Sequence, residues 1–374
     1  KLHLGISFKE FYGIHFMKIL VIKFRNIGDV LLVSPLLSNL KFYYPNSNID
    51  IAVNKGTEAM VEGNPNISEV IIYDREKVQR LTVFNKIWNE LSFLRSFKKE
   101  KYDLVINLTE GDRGAQIALF SKAFIRIGYA NKNRIFQKSY THTLPKANLK
   151  HTVGSNLDPL KQLDLPIISK KVSIYWCEED NNFVSGVLSK VGEFIHIHPV
   201  SRWLFKCLSD QLMAKIIDYC ELELNIKVII TAAPVDKEIE RVINILSFCK
   251  SNPIDLSGKL SLKQTAALNK KAKIFIGVDT AIMHISAANN IPVLAFFGPS
   301  GAYHWGPWDN NLMESGYTEK NGNQSMGMHQ VISESRGCQP CGQDGCNGTK
   351  ISDCLINLDI DLIKIYIRRM LLKS

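Results

Sequence analysis

The chain is 374 residues long, more than one compact core ordinarily holds, which predicts two domains. Its 45% hydrophobic and 22% charged residues exclude a disordered or low-complexity chain, and no run approaches the roughly 18 apolar residues of a membrane-spanning helix. The net charge of +10 is unevenly placed: residues 1–170 hold 25 Lys+Arg against 15 Asp+Glu, and residues 171–374 hold 21 of each.

The basic half suits an anionic partner, whether a phosphorylated or carboxylated substrate or an anionic membrane surface; a merely solvated basic face is the competing reading. No helix-turn-helix, RNA-binding or zinc-finger pattern accompanies the charge, so no nucleic acid is expected. Residues 1–16 lack the uninterrupted apolar segment and small-residue cleavage site of a signal peptide. They read as an N-terminal extension ahead of Met17, in a cytoplasmic protein.

Residues 17–24 (MKILVIKF) form a short apolar run, the pattern of a buried parallel strand. Residues 28–44 carry Val30, Leu31, Val33, Leu36, Leu37 and Leu40 at helical spacing, which predicts one helix that tolerates Pro35 and stops at Pro45. Strands are expected at 49–53, 69–73, 103–108 and 124–129, with helices at 83–99 and 112–121 between them. Residues 145–171 lose the strand signal and gain Pro, Gly, Asn and Lys, and read as the interdomain connection. The alternation restarts with strand 193–198, helix 208–223, strand 226–231, helices 235–248 and 261–271, strand 273–278, helix 280–289 and strand 291–296. A last helix is expected over 358–373. Strand alternating with helix predicts α/β architecture, two Rossmann-like halves with parallel sheets, whose ligands bind at the carboxyl ends of strands.

Three stretches carry chemistry. Asp29 follows the first strand, behind a glycine. By position it is either a first-turn carboxylate favoured by the helix dipole or an acid/base group at the sheet edge. The loop after strand 193–198 offers Ser201, Arg202 and Lys206 as donors to phosphate oxygens. In "IGVDTAIMHISAANNIPVLAFFGPSGAYHWGPW" (276–308), a strand ends at Val278 and Asp279-Thr280 open a helix. His284 lies one turn beyond Thr280 on the same face. The helix start suits a diphosphate, although Asp279 alone reads equally as an N-cap and His284 as a core histidine. Gly298-Pro299-Ser300-Gly301 leaves a ligand room, and Trp305 and Trp308 are candidate walls for a sugar or base. No P-loop and no GxGxxG after a strand is present.

Together, "KFRNIGDVLLVSPLL", "HPVSRWLFK" and "FIGVDTAIMHISAANNIPVLAFFGPSG" resemble the lipopolysaccharide heptosyltransferases of glycosyltransferase family 9, in the heptosyltransferase III-like branch. The resemblance implies a GT-B fold with two Rossmann-like domains whose parallel sheets face an interdomain cleft. Residues 17–170 would form the acceptor-binding domain, 171–357 the nucleotide-sugar-binding domain and 358–374 a C-terminal helix. It implies inverting transfer of heptose from ADP-heptose to the inner core of lipopolysaccharide, with no required metal or cofactor. The enzyme would work in the cytoplasm, in peripheral contact with the cytoplasmic face of the inner membrane. Asp29 matches the family's general base. Ser201, Arg202, Lys206, Asp279, Thr280, His284 and Gly298 match the donor site. Arg25, Arg113, Arg126 and Arg134, with Lys132, are candidates for the anionic acceptor.

One departure falls after strand 226–231, where the family often places a glycine and a ribose-binding acid and this chain reads Thr231-Ala232-Ala233-Pro234-Val235-Asp236. The alternatives are a family-9-like transferase using another nucleotide sugar and a nucleotide-sugar-binding protein without turnover. The tail cysteines Cys338, Cys341, Cys346 and Cys354 read either as reduced structural thiols or as a tetrathiolate zinc site, while a reducing cytosol argues against disulfides.

Overall fold

The structure is a computed structural model that describes residues 17–131, 133–145 and 150–373; the expected extension over 1–16 lies outside them. The chain divides after Lys170 into two compact units. Among the described residues no helix is long and apolar enough to cross a membrane.

The first unit is built on a parallel sheet of Lys18–Lys23 (β1), Asn48–Asn54 (β2), Glu69–Tyr73 (β3), Leu104–Asn107 (β4), Ile125–Tyr129 (β5) and His142–Leu144 (β6), in the order β3-β2-β1-β4-β5-β6. β1 and β4 are buried almost throughout, as continuous apolar runs of a two-sided parallel sheet must be. The helices Val83–Lys99 (α3) and Asp112–Ser121 (α4) cover one face, with Leu94, Phe97, Ala115 and Ala118 packed against Leu20, Ile22 and Val105.

The helix expected over 28–44 is two helices, Ile27–Leu31 (α1) and Ser34–Tyr43 (α2). Pro35 has no N–H to give the Leu31 carbonyl four residues back. The Ser34 hydroxyl donates there instead at 2.9 Å, and the neighbouring Leu32 carbonyl accepts from Asn156 Nδ2 at 2.8 Å. Residues 145–171 also depart from expectation. Thr152–Asn156 and Asp158–Gln162 are short helices, and Val153, Leu157 and Leu160, at spacings of four and three, are fully buried. Much of this stretch is therefore body of the first unit rather than open connection.

The second unit repeats the plan. Phe194–His198 (β7), Lys227–Ile230 (β8), Ile254–Asp255 (β9), Phe275–Val278 (β10), Val293–Phe296 (β11), Gln324–Met326 (β12) and His329–Ile332 (β13) form a sheet of order β12-β13-β11-β10-β7-β8-β9. It is parallel except for the β12–β13 hairpin. Asp210–Asp218 (α5), prolonged by a π-helical turn over Tyr219–Glu223, is followed by Asp236–Ser247 (α6), Leu262–Asn269 (α7), Ala281–Ala288 (α8) and Ile360–Leu371 (α9). α9 buries Ile363, Ile367 and Met370 in the same apolar cluster as Ile195, Ile276 and Ile217. In each sheet the chain runs first to one side and then to the other, so the order reverses between β1 and β4 and between β7 and β10. Such reversals open crevices at the strand carboxyl ends.

Candidate functional site

The three segments at the carboxyl ends of β7, β10 and β11 leave adjacent strands and converge on Asp279. Lys206, in the 3-10 turn Leu204–Lys206, places its Nζ 2.6 Å from Asp279 Oδ2. Ser300, in the loop after β11, donates its hydroxyl to the same oxygen at 2.6 Å. Asp279 is 9% exposed. Burial alone would raise its pKa, but Lys206, the Ser300 hydroxyl and nearby His284 outweigh it and hold the carboxyl below its usual 3.8.

Asp279 is not the cap of α8. The N-cap is Thr280, and its side chain makes no capping bond; its buried hydroxyl has no hydrogen-bond partner among the described residues. The first amides of α8 thus keep their donors free of side-chain caps beside a fixed ammonium, an arrangement suited to an anion. His284 is buried one turn along α8.

The end of β7 is held from below by a polar chain. His198 Nδ1 lies 2.9 Å and His196 Nε2 2.8 Å from the Thr231 hydroxyl. His196 Nδ1 lies 3.0 Å from Asn269 Nδ2, which donates to Ser286 on α8 at 2.8 Å. Burial lowers the His198 pKa to about 4, and burial together with His198 lowers that of His196 to about 3, so both rings are neutral at pH 7.

In the first unit, Asp29 is a half-buried residue of the first turn of α1, at the β1/β4 reversal. Among the described residues it makes no hydrogen bond or ion pair. Its field reaches Lys23, the buried last residue of β1, whose Nζ donates to Asn156 Oδ1 at 3.0 Å and to the Leu108 carbonyl at 3.3 Å. Burial lowers the Lys23 pKa to about 8, against the pull of Asp29 and with the push of Arg25.

A family model described as Glycosyltransferase family 9 (heptosyltransferase) matches residues 90–332. The chain belongs to that family. Lipopolysaccharide heptosyltransferase 3 of Escherichia coli K12 is 31% identical over 297 residues, which is 78% of this chain and 85% of that protein. A glycosyl transferase family 9 structure from Veillonella parvula superposes with a TM-score of 0.80 at 22% identity, covering 96% of this chain and 98% of that one. An E. coli heptosyltransferase solved with ADP gives 0.71 at 16% identity, over 95% and 100%. These likenesses give the fold, two Rossmann-like α/β units of GT-B type.

The family span includes Lys206, Asp279, Thr280, His284 and Gly298 but begins beyond Asp29. Of the other residues singled out, Ser201 is buried and its hydroxyl accepts from the Trp203 amide at 3.2 Å. Arg202 is exposed, 5.5 Å from the Trp203 ring. Gly298 is small for a packing reason: a Cβ would meet Leu355 Cδ1 at 2.6 Å and Cys354 Sγ at 3.1 Å. Trp308 is fully buried core and cannot wall a ligand, whereas Trp305 is part-exposed.

The arginines scatter. Arg25 is exposed beside α1. Arg113 is occupied internally, bonded to Glu90 at 2.9 Å and stacked 3.9 Å from the Tyr73 ring centroid. Arg126 sits near the amino end of β5, away from the sheet edge that carries Asp29, and its guanidinium holds the Ala123 and Ser139 carbonyls at 2.6 and 2.7 Å. The Arg134 side chain and Lys132 lie outside the described residues. The zinc reading of the tail gains no support: among the described residues no three His, Cys, Asp or Glu side chains are placed to hold a metal ion. Cys338 and Cys341 lie at the surface while Cys354 is buried.

Three participants escaped the sequence reading, namely Lys23, the His196–Thr231–His198 chain and Glu238, while Ser300 was read only as part of a small-residue loop and not as a partner of Asp279. Glu238 is buried at the foot of α6, accepts from the Ala233 amide at 3.1 Å and has its pKa raised by burial, despite that bond. It places an acid beside the Ala232-Ala233 departure.

Proposed function

We propose that the protein is an inverting glycosyltransferase that moves heptose from ADP-heptose to the inner core of lipopolysaccharide, in the cytoplasm at the inner membrane. The observation that carries this reading is the Lys206 ammonium fixed by Asp279 beside the uncapped start of α8. The E. coli relatives named for lipopolysaccharide heptose transfer, and the related fold solved with ADP, support the donor and acceptor.

In this reading the acceptor hydroxyl attacks the anomeric carbon as the bond to the diphosphate oxygen breaks, and the departing electron pair stays on ADP. The hydroxyl proton passes to the Asp29 carboxylate, which carries no internal partner that would have to be displaced. Lys206, with two ammonium protons beyond the one given to Asp279, and the α8 amides meet the negative charge that grows on the diphosphate; Arg202 adds a mobile cation. Ser201, Thr280, His284 and Gly298 complete the donor site. Arg25 is the best-placed of the acceptor candidates, since Arg113 and Arg126 are already engaged.

Donor hydrolysis and transfer on a panel of truncated core acceptors test the reading. ADP release that depends on an inner-core acceptor supports it. ADP binding without release makes the protein a binding module, and turnover with a different nucleotide sugar moves it elsewhere within the family.

A further inference from the structure

We propose that the outer face of α3 seats the protein on an anionic lipid bilayer. α3 is anchored by one face, where Leu94 and Phe97 are buried and Phe93 packs 5.1 Å from Tyr73 and 5.0 Å from Phe97, ring centroid to centroid. Its other face carries Val83, Phe84, Ile87, Trp88 and Leu91, spaced as one helical stripe, and the first two and Trp88 are 77%, 78% and 64% exposed. Isolated apolar side chains on a surface are ordinary, but five on one stripe of one helix are an uncovered interaction face. The neighbouring α4, packed along α3, ends in exposed Leu119 and Phe120, with Phe124 just beyond.

The charge around the stripe selects the occupant. Residues 75–101 hold eight Lys and Arg against three Asp and Glu. Two of those acids are neutralised within the first unit, Glu90 by Arg113 and Glu100 by Lys18. Arg80, Lys86, Arg95, Lys98 and Lys99 remain at the surface around the stripe. A second copy docked face to face would set this cationic field against itself. An anionic headgroup layer complements it, while the apolar residues, with Trp88 among them, enter the boundary beneath. The inference rests on the proposed reading in one respect: an inner-core acceptor is lipid-linked, so a membrane-seated enzyme meets it in two dimensions.

The test is flotation of the full chain with vesicles of phosphatidylethanolamine and phosphatidylglycerol, compared with phosphatidylcholine alone, without donor or acceptor. The expected result is binding to the anionic vesicles that weakens with salt and falls about tenfold or more in the Phe84→Glu/Trp88→Glu variant. Transfer to a soluble truncated acceptor should be unchanged in that variant, which separates this inference from the assignment of the reaction. Equal binding by wild type and variant, no binding by either, or a dimer that the variant abolishes would each overturn it.

Discussion

Lys206 and Asp279, 73 residues apart in the chain, meet at 2.6 Å and join the loop after β7 to the start of α8. With Ser300 on the same carboxylate, the contact fixes an ammonium without consuming all its protons. Lys206→Ala leaves Asp279 buried and unpaired, and stability should fall by about 3 kcal/mol. ADP affinity should fall with it. A Lys206→Met/Asp279→Asn pair should recover most of the stability and none of the affinity, as denaturant titration and ADP calorimetry would show. Because the Asp279 pKa is lowered in the folded state, the pair's contribution is complete above the unfolded value of 3.8 and disappears only as pH falls through the lower folded value.

Acid should destabilise the second unit well before Asp279 titrates. His196 and His198 stay neutral in the fold down to about 3 and about 4, against 6.5 when unfolded. Between those values the unfolded chain binds more protons, so stability is complete above 6.5 and falls by up to about 1.4 kcal/mol per pH unit for each histidine below it. Denaturation midpoints at pH 7 and pH 5 measure the slope. Buried His329, lowered likewise to about 4, adds a third such group, so His198→Gln should flatten the slope by about a third; an unchanged slope would assign the acid sensitivity to other groups.

Asp29→Ala should leave the fold and ADP binding intact and lower transfer by about 10²- to 10⁴-fold. Single-turnover kinetics with saturating donor read this directly, and retained turnover removes Asp29 from the mechanism.

Glycine substitutions probe the packing. At Gly114 on α4 a Cβ would overlap Asn107, whose Nδ2 donates to the Thr109 carbonyl at 2.8 Å and to the Tyr140 hydroxyl at 2.6 Å. Gly114→Ala should cost about 1–3 kcal/mol. At Gly186, in the helix Glu178–Val187, a Cβ meets nothing within 4 Å. Gly186→Ala should stabilise by about 0.5–1 kcal/mol, and thermal melts of the two variants should move in opposite directions.

Much of the sheet-and-helix alternation was legible because apolar runs and helical spacing are local signals: Val83–Lys99 and Asp112–Ser121 match the expected spans. The split between α1 and α2 was not read, because it depends on which donors satisfy the carbonyls at the break, and the one on Leu32 is Asn156, 124 residues away. The residues of the proposed donor site were visible as a motif around Asp279 and His284. Ser300 was noticed for its size but not as a partner of Asp279, since a serine in a glycine-proline loop reads as a turn. Trp308 and Arg113 misled for the opposite reason: aromatic and guanidinium groups suit ligands and cores alike, and only three-dimensional neighbours decide. The paired histidines of β7 carry no local signal of a role, because their partners Thr231 and Asn269 come from distant segments.

The placement of α9 bears on the order in which the protein is made. Ile363, Ile367 and Met370 complete the apolar cluster built on β7 and β10, yet they are translated long after those strands. Among the described residues, the first unit has its strands by residue 144 and its buried helices by residue 162, and it is free to fold while synthesis continues. The second unit must wait, with strand edges and apolar surface open, until its last helix emerges. The nascent chain therefore passes through a stage at which the first half can fold while the second still exposes the apolar surface that α9 covers, and clipping α9 would leave that surface open.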